Sequence, residues 1–104
     1  MAVKVLTKDT WKQVENDQWA VIDFYADWCA PCSMISPIVE KLSDEYTDVC
    51  FYKVDIDHNM ELASNYRIMS IPALLFFKQG EKVNEVIGYM TEEQLKNELD
   101  KTFV

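Results

Sequence analysis

Dense apolar runs alternate with helically spaced apolar residues along this chain, and one run carries a charge in its middle. Residues 19–26 hold Ala20, Val21, Ile22, Phe24, Tyr25 and Ala26 around Asp23. The run has strand length and is rich in β-branched and aromatic residues, which predicts a central strand covered on both faces. Next, Ile35, Ile38, Val39, Leu42 and Tyr46 recur at helical spacing. They predict an amphipathic helix of about four turns. Pro31 falls in its first turn, where a missing N–H is harmless, and Pro37 falls inside it, where a kink is expected. Residues 49–54 form a second apolar run, with Cys50-Phe51-Tyr52 at its centre. Strand, helix and strand in this order imply a parallel pair joined by a right-handed crossover.

The remaining pattern completes a small α/β layout. Val3 and Val5 alternate with Lys4 and predict a short edge strand. Thr7 is placed to cap a helix holding Trp11 and Val14. Asp57-His58-Asn59 reads as a turn, followed by a short helix with Leu62, Ala63 and Tyr66. Residues 71–77 predict a third buried strand, with Pro72 at its start, where a strand tolerates it. Gln79-Gly80 then turns the chain into an edge strand with Val83, Val86 and Ile87, which implies an antiparallel hairpin. Thr91-Glu92-Glu93-Gln94 matches a capping box and opens a last helix bearing Leu95, Leu99 and Phe103. The sum is a mixed sheet of about five strands, flanked on both sides by four helices.

Composition narrows the function classes. At 104 residues a single domain over 1–104 is expected, burying roughly 60–70% of its unfolded surface. The 10 basic and 18 acidic residues give a net charge of −8, which argues against nucleic acid or an anionic membrane as a partner. The apolar stretches are too short to span a bilayer. The start of the chain lacks the apolar core of a secretory leader, so a cytoplasmic location is expected. Structural disulfides are rare in that reducing compartment. Three cysteines there suggest redox or metal chemistry.

Trp28-Cys29-Ala30-Pro31-Cys32 stands where the central run ends and the long helix begins. The spacing brings two sulfurs to one helix face, within disulfide reach. Cys29 falls at the helix N-terminus, where partial positive charge and free N–H groups favour thiolate. A Cys-x-x-Cys pair also suits zinc, which Cys50 and His58 would have to complete. Against zinc, Cys50 sits among apolar residues and is expected to be a buried, inert thiol. His58, in its turn, is expected to face solvent.

Nearly the whole chain resembles the thioredoxin family. The likeness is carried by residues 23–32, Pro37, Lys53-Val54-Asp55-Ile56-Asp57, Ile71-Pro72, Gly80 and Gly88. The resemblance implies a thioredoxin fold and a protein-disulfide reductase. No bound cofactor is implied, since the redox group is a Cys29–Cys32 disulfide. Cys29 would be the exposed nucleophile and Cys32 the buried resolving thiol. Asp23 would move the proton of Cys32, and Lys53 would pair with Asp23 and tune it. Pro72 would be cis, with the backbone of Ile71 docking an extended client segment. Trp28, Ile71, Ile87 and Gly88 would form an apolar rim, with Ala30 and Pro31 part of the contact surface. Implied partners are disulfide-bearing client proteins and a thioredoxin reductase, NADPH- or ferredoxin-linked, and the chain is expected to be a monomer.

The residues lend part of this independent support. An aspartate within an apolar strand is costly unless paired or protonated, and burial raises its proton affinity toward neutrality. Departures from the family pattern are Ala30, Ser33 and Ala73 where Gly, Lys and Thr are usual, Tyr25 where Trp is frequent, and Arg67 and Ser70 where glycines are common. They bear on redox potential and partner choice. Two other readings stay open on sequence alone: a more oxidising disulfide oxidase or isomerase, and a binding or scaffold subunit whose dithiol is idle.

Overall fold

The computed structural model describes residues 2–104. Its strands are β1 (Val3–Val5), β2 (Trp19–Tyr25), β3 (Cys50–Asp55), β4 (Ala73–Lys78) and β5 (Glu81–Ile87). Its α-helices are α1 (Ala30–Glu45), α2 (Met60–Asn65) and α3 (Glu92–Thr102), and a 3-10 helix spans Trp11–Asn16. The strands form one sheet in the order β1-β3-β2-β4-β5. β3 runs parallel to β1 and β2, while β4 is antiparallel to β2 and β5. This is the mixed sheet that the apolar runs imply, with β1 and β5 at its edges.

Alternation along β2 divides its side chains between two cores. Val21 packs with Ile35, Val39 and Leu42 of α1 and with Leu95 and Leu99 of α3. Ala20, Ile22 and Phe24 face the other way, toward Val14 of the 3-10 helix and Leu62 of α2. Phe24, Phe76 and Phe77 are fully buried, each worth roughly 1.5–3 kcal/mol relative to exposure. Covered on both faces, β2 can place a residue near the middle of the molecule simply by its position in the strand.

Two local expectations need correction, the Thr7 cap and the buried Cys50. The helix near Trp11 is a 3-10 turn that starts after Thr10, and Thr7 does not cap it. Instead the Thr7 N–H donates to Thr10 Oγ1 at 3.0 Å, forming a turn that drops Trp11 among Phe24, Tyr66 and Phe77. α1 runs through Pro37 to Glu45 as one helix, although the proline withholds an N–H from the Ser33 carbonyl. Cys50 is exposed, not buried. It is the first residue of β3, and although Val49 and Phe51 on either side of it are buried, its own side chain lies beside the polar Asp17. Partial desolvation and a hydrogen bond to Asp17 push its thiol up.

Two helix ends are written plainly. At α3, the Gln94 N–H donates to Thr91 Oγ1 at 3.2 Å, and the Thr91 N–H donates to Gln94 Oε1 at 3.0 Å, completing the capping box. At the end of α2, Arg67 adopts φ +55°. Its N–H donates to Ser64 O and that of Ile68 to Ala63 O, the paired bonds of a Schellman ending. Arg67 occupies a left-handed position that disfavours any Cβ. Arg67→Gly should therefore raise stability by about 0.5–1 kcal/mol, the strain relieved less the extra freedom glycine gives the unfolded chain. Chemical denaturation would measure the gain; no gain would mean that Arg67 side-chain contacts offset the strain.

Candidate functional site

β2 ends at Tyr25 and α1 begins at Ala30, so residues 26–29 bridge the centre of the sheet to a helix N-terminus. Cys29 is the N-cap of α1, Ala30 and Pro31 open the helix, and Cys32 lies in its first turn. A disulfide joins Cys29 to Cys32, with the two Cα atoms 5.3 Å apart. The Cys32 N–H points at Cys29 Sγ, 3.2 Å away. This N–H is one of the unpaired donors that every helix start presents, and here it meets sulfur. The arrangement favours negative charge on Cys29 once the disulfide opens.

One expectation changes here. The family resemblance implies an exposed Cys29, yet both sulfurs are buried, at 5% and 3% residue exposure. Cys29 packs with Cys32 and Ala26, with Ile56 and Ile71 alongside. The two cysteines differ instead in what adjoins them. Around Cys29, Trp28, Ala30 and Pro31 are exposed, and the Ile71 carbonyl oxygen lies 3.8 Å from its sulfur. Cys32 lines an inward cleft.

That cleft, of about 440 Å³, is walled by Asp23, Tyr25, Ala26, Asp27, Cys32, Ser33, Ser36, Pro37 and Lys53. Asp23 stands in register with Lys53 across the parallel β2–β3 pair. It is 5% exposed, and its Oδ1 has no hydrogen-bond partner among the described residues. Burial pushes the Asp23 carboxyl up from 3.8 to about 7, against the opposing pull of the Lys53 charge. A carboxyl that exchanges its proton near neutrality thus shares a cleft with the inner cysteine. The cleft is polar and roomy enough to hold bridging water.

The other expected residues gather on the outer side. Ile71–Pro72 is a cis peptide, and Pro72 is buried while Ile71 is half-buried. The Gly88 N–H donates to Pro72 O at 2.8 Å. Gly88 takes φ +95° with open space where a Cβ would stand, so its backbone angle, rather than crowding, favours glycine there. Ile87 pairs with Ala73 at the end of β5 and is exposed. On the far side of the sulfurs, Trp28 is 71% exposed, its indole N–H donating to Asp57 Oδ2 at 2.9 Å. Asp57, Ile56 and Tyr25 join the site without a role assigned from sequence. Alternation along β2 puts Tyr25 on the same face as Asp23, a signal present in the sequence.

A zinc site does not assemble. Cys50 opens β3 and His58 lies beyond its other end, separated by roughly 17 Å of extended strand. His58 instead meets Asp55, Nδ1 to Oδ2 at 2.9 Å. Among the described residues no group of three or more His, Cys, Asp or Glu could hold a metal ion.

The thioredoxin family profile matches residues 2–101. The chain belongs to the thioredoxin family. It is 41% identical over 100 residues to a thioredoxin from Staphylococcus epidermidis, covering 95% of each chain. It is 39% identical over 104 residues to a thioredoxin from Porphyra purpurea, covering 97% of each. A mutant thioredoxin from Halobacterium salinarum superposes with a TM-score of 0.90 at 36% identity, over 98% of this chain and 91% of that one. As in thioredoxins, the redox group is the cysteine pair itself, and the activity is protein-disulfide reduction by thiol–disulfide exchange. That activity requires disulfide-bearing clients and a reductase to renew the dithiol. No helix among the described residues is long and apolar enough to cross a membrane.

The buried carboxyl has a consequence for stability. Its proton is held more tightly in the folded chain than at the ordinary carboxyl value of 3.8. Stability from this group is therefore fully present below about pH 4 and is lost as pH rises through about 7. Asp23→Asn, which stays neutral, should leave stability at pH 4 nearly unchanged and raise it by a few kcal/mol at pH 8, since each tenfold gain in proton affinity on folding is worth about 1.4 kcal/mol. Urea denaturation at both pH values measures this. An equal effect at the two would contradict the ionisation cost.

Proposed function

We propose that this thioredoxin-family chain is a cytoplasmic, monomeric, single-domain general reductant of protein disulfides. It would work through Cys29 as nucleophile and Cys32 as resolving thiol. The observation that carries the reading is the Cys29–Cys32 disulfide at the first turn of α1, with the inner cysteine opening onto the cleft of Asp23. Such an asymmetry between the two cysteines is what a two-step exchange needs.

In the first step the Cys29 thiolate attacks one sulfur of a client disulfide. A Cys29–client disulfide forms and one client thiolate leaves. In the second, Cys32 gives its proton toward Asp23 through the cleft and attacks Cys29 Sγ. The Cys29–Cys32 bond forms, and the second client sulfur leaves and takes a proton. Two electrons have passed from the dithiol to the client. Asp23 suits this transfer because its proton affinity lies near neutrality, and Lys53 tunes that affinity. A reductase drawing on NADPH or ferredoxin returns the electrons.

Client docking falls to the outer side. The Ile71 backbone, held beside Cys29 Sγ by Pro72, offers a short edge for an extended segment. Trp28, Ile71, Ile87 and Gly88 form an apolar rim, with Ala30 and Pro31 at its centre. The net charge of −8 disfavours nucleic acid and anionic membrane surfaces.

Insulin reduction tests the assignment. Cys29→Ser should abolish turnover, whereas Cys32→Ser should accumulate a covalent mixed disulfide visible by mass spectrometry. Asp23→Asn should slow release of that mixed disulfide and remove its pH dependence near 7. A Cys29→Ser protein that still reduced insulin, or a Cys32→Ser protein that trapped nothing, would contradict the order of attack.

A further inference from the structure

Tyr25 has no part in the exchange as described, yet its ring meets the Lys53 ammonium, whose charge acts on Asp23. Val21, Asp23 and Tyr25 share a face of β2, and Phe51, Lys53 and Asp55 oppose them rung for rung on β3. Lys53 is therefore flanked by Asp23 on its own rung and by Tyr25 one rung further out. Its Nζ lies over the Tyr25 ring, 5.9 Å from the centroid. The ammonium thus rests on the ring at the outer part of the cleft wall, while the Asp23 Oδ1 has no hydrogen-bond partner among the described residues.

We infer that Tyr25 is a positioning residue: its ring face holds the Lys53 ammonium away from the Asp23 carboxyl and so sets how tightly Asp23 keeps its proton. The attraction of an ammonium to a ring face competes with its attraction to a carboxylate. A ring that retains part of the cation's time weakens the stabilisation of ionised Asp23 and keeps its proton affinity high. Lys53 lowers Asp23 as it stands, but burial outweighs it. Freed from the ring, the same cation would act at closer range and lower Asp23 further.

The surroundings of Asp23 are few and can be separated. Lys53 and Asp55 face it from β3, Tyr25 and Asp27 lie along and beyond β2, and Cys32 faces it from α1. β4 offers only the apolar Leu74 opposite. In the disulfide form Cys32 does not titrate, so the Asp23 titration can be read without it. Any effect on turnover rests on the proton-transfer role proposed for Asp23. The effect on Asp23 itself does not, and a titration of the oxidised protein distinguishes the two.

The test is a carbon-13 NMR titration of the Asp23 carboxyl in the oxidised protein and its variants. Tyr25→Leu keeps apolar bulk over the cleft and removes the ring; it should lower the Asp23 midpoint by about 0.5 in pH. Tyr25→Met supplies a second ring-free side chain with the same expected direction. Tyr25→Phe keeps the ring face and should titrate as the unaltered protein does. Lys53→Met should raise the midpoint, and adding Tyr25→Leu to Lys53→Met should produce no further change. The inference is overturned if Tyr25→Leu and Tyr25→Met leave the midpoint in place, or if Tyr25→Leu shifts it equally without Lys53. It is also overturned if Tyr25→Phe shifts it as far as Tyr25→Leu, since the hydroxyl would then be the agent.

Discussion

One junction governs this molecule: the helix start at which the Cys32 N–H points at Cys29 Sγ, 3.2 Å away. A helix leaves its first N–H groups without intrahelical partners, and they must find acceptors. Here the acceptor is the reactive sulfur. The junction sits where it does because β2 is apolar on both faces and must be covered by helices on both sides. α1 therefore starts a few residues beyond the strand's carboxyl end, and the cysteine pair is seated at the end of the sheet's central strand, beneath the exposed Trp28, Ala30 and Pro31.

The same burial creates the second chemical feature. Asp23 is two residues from the end of β2, deep enough to lose most of its hydration but within reach of the cleft beside Cys32. Desolvation outweighs Lys53 and brings its proton exchange to about pH 7. Stability and the proposed chemistry pull in opposite directions at this residue: ionising it weakens the fold, yet a proton that exchanges at neutrality is what the proposed proton transfer uses. A sheet covered on both faces thus places the Cys29–Cys32 disulfide at a helix start, with the buried carboxyl of Asp23 in the cleft beside Cys32.

Much of this was legible in the residues. Strand length, β-branching and helical spacing located the five strands and the three α-helices, and the Thr91–Gln94 box is present as written. The crossover between residues 19–26 and 49–54 implied the parallel pair that puts Asp23 beside Lys53. Other features depended on contacts no pattern encodes. Thr7 forms a turn with Thr10 in place of a cap, and Trp11 after it joins the aromatic cluster of Phe24, Tyr66 and Phe77. Cys50 looked buried because its neighbours are apolar, and Val49 and Phe51 are indeed buried, but its own side chain is exposed beside Asp17. The burial of Cys29 comes from Ala26, Ile56 and Ile71 packed around the disulfide, neighbours from separate segments that local sequence cannot weigh. Tyr25 lay in plain view on the face of Asp23; only the position of the Lys53 ammonium gave it a task.

The start of α1 should make Cys29, and not Cys32, the ionised and accessible sulfur of the reduced protein. The direct measurement is the rate of alkylation of each cysteine by iodoacetamide across pH, resolved by peptide mass. Cys29 should be modified first, with its half-maximal rate well below about pH 8.5, the ordinary range of a free thiol. Alkylation of Cys32 first, or of Cys29 only at and above that range, would contradict it.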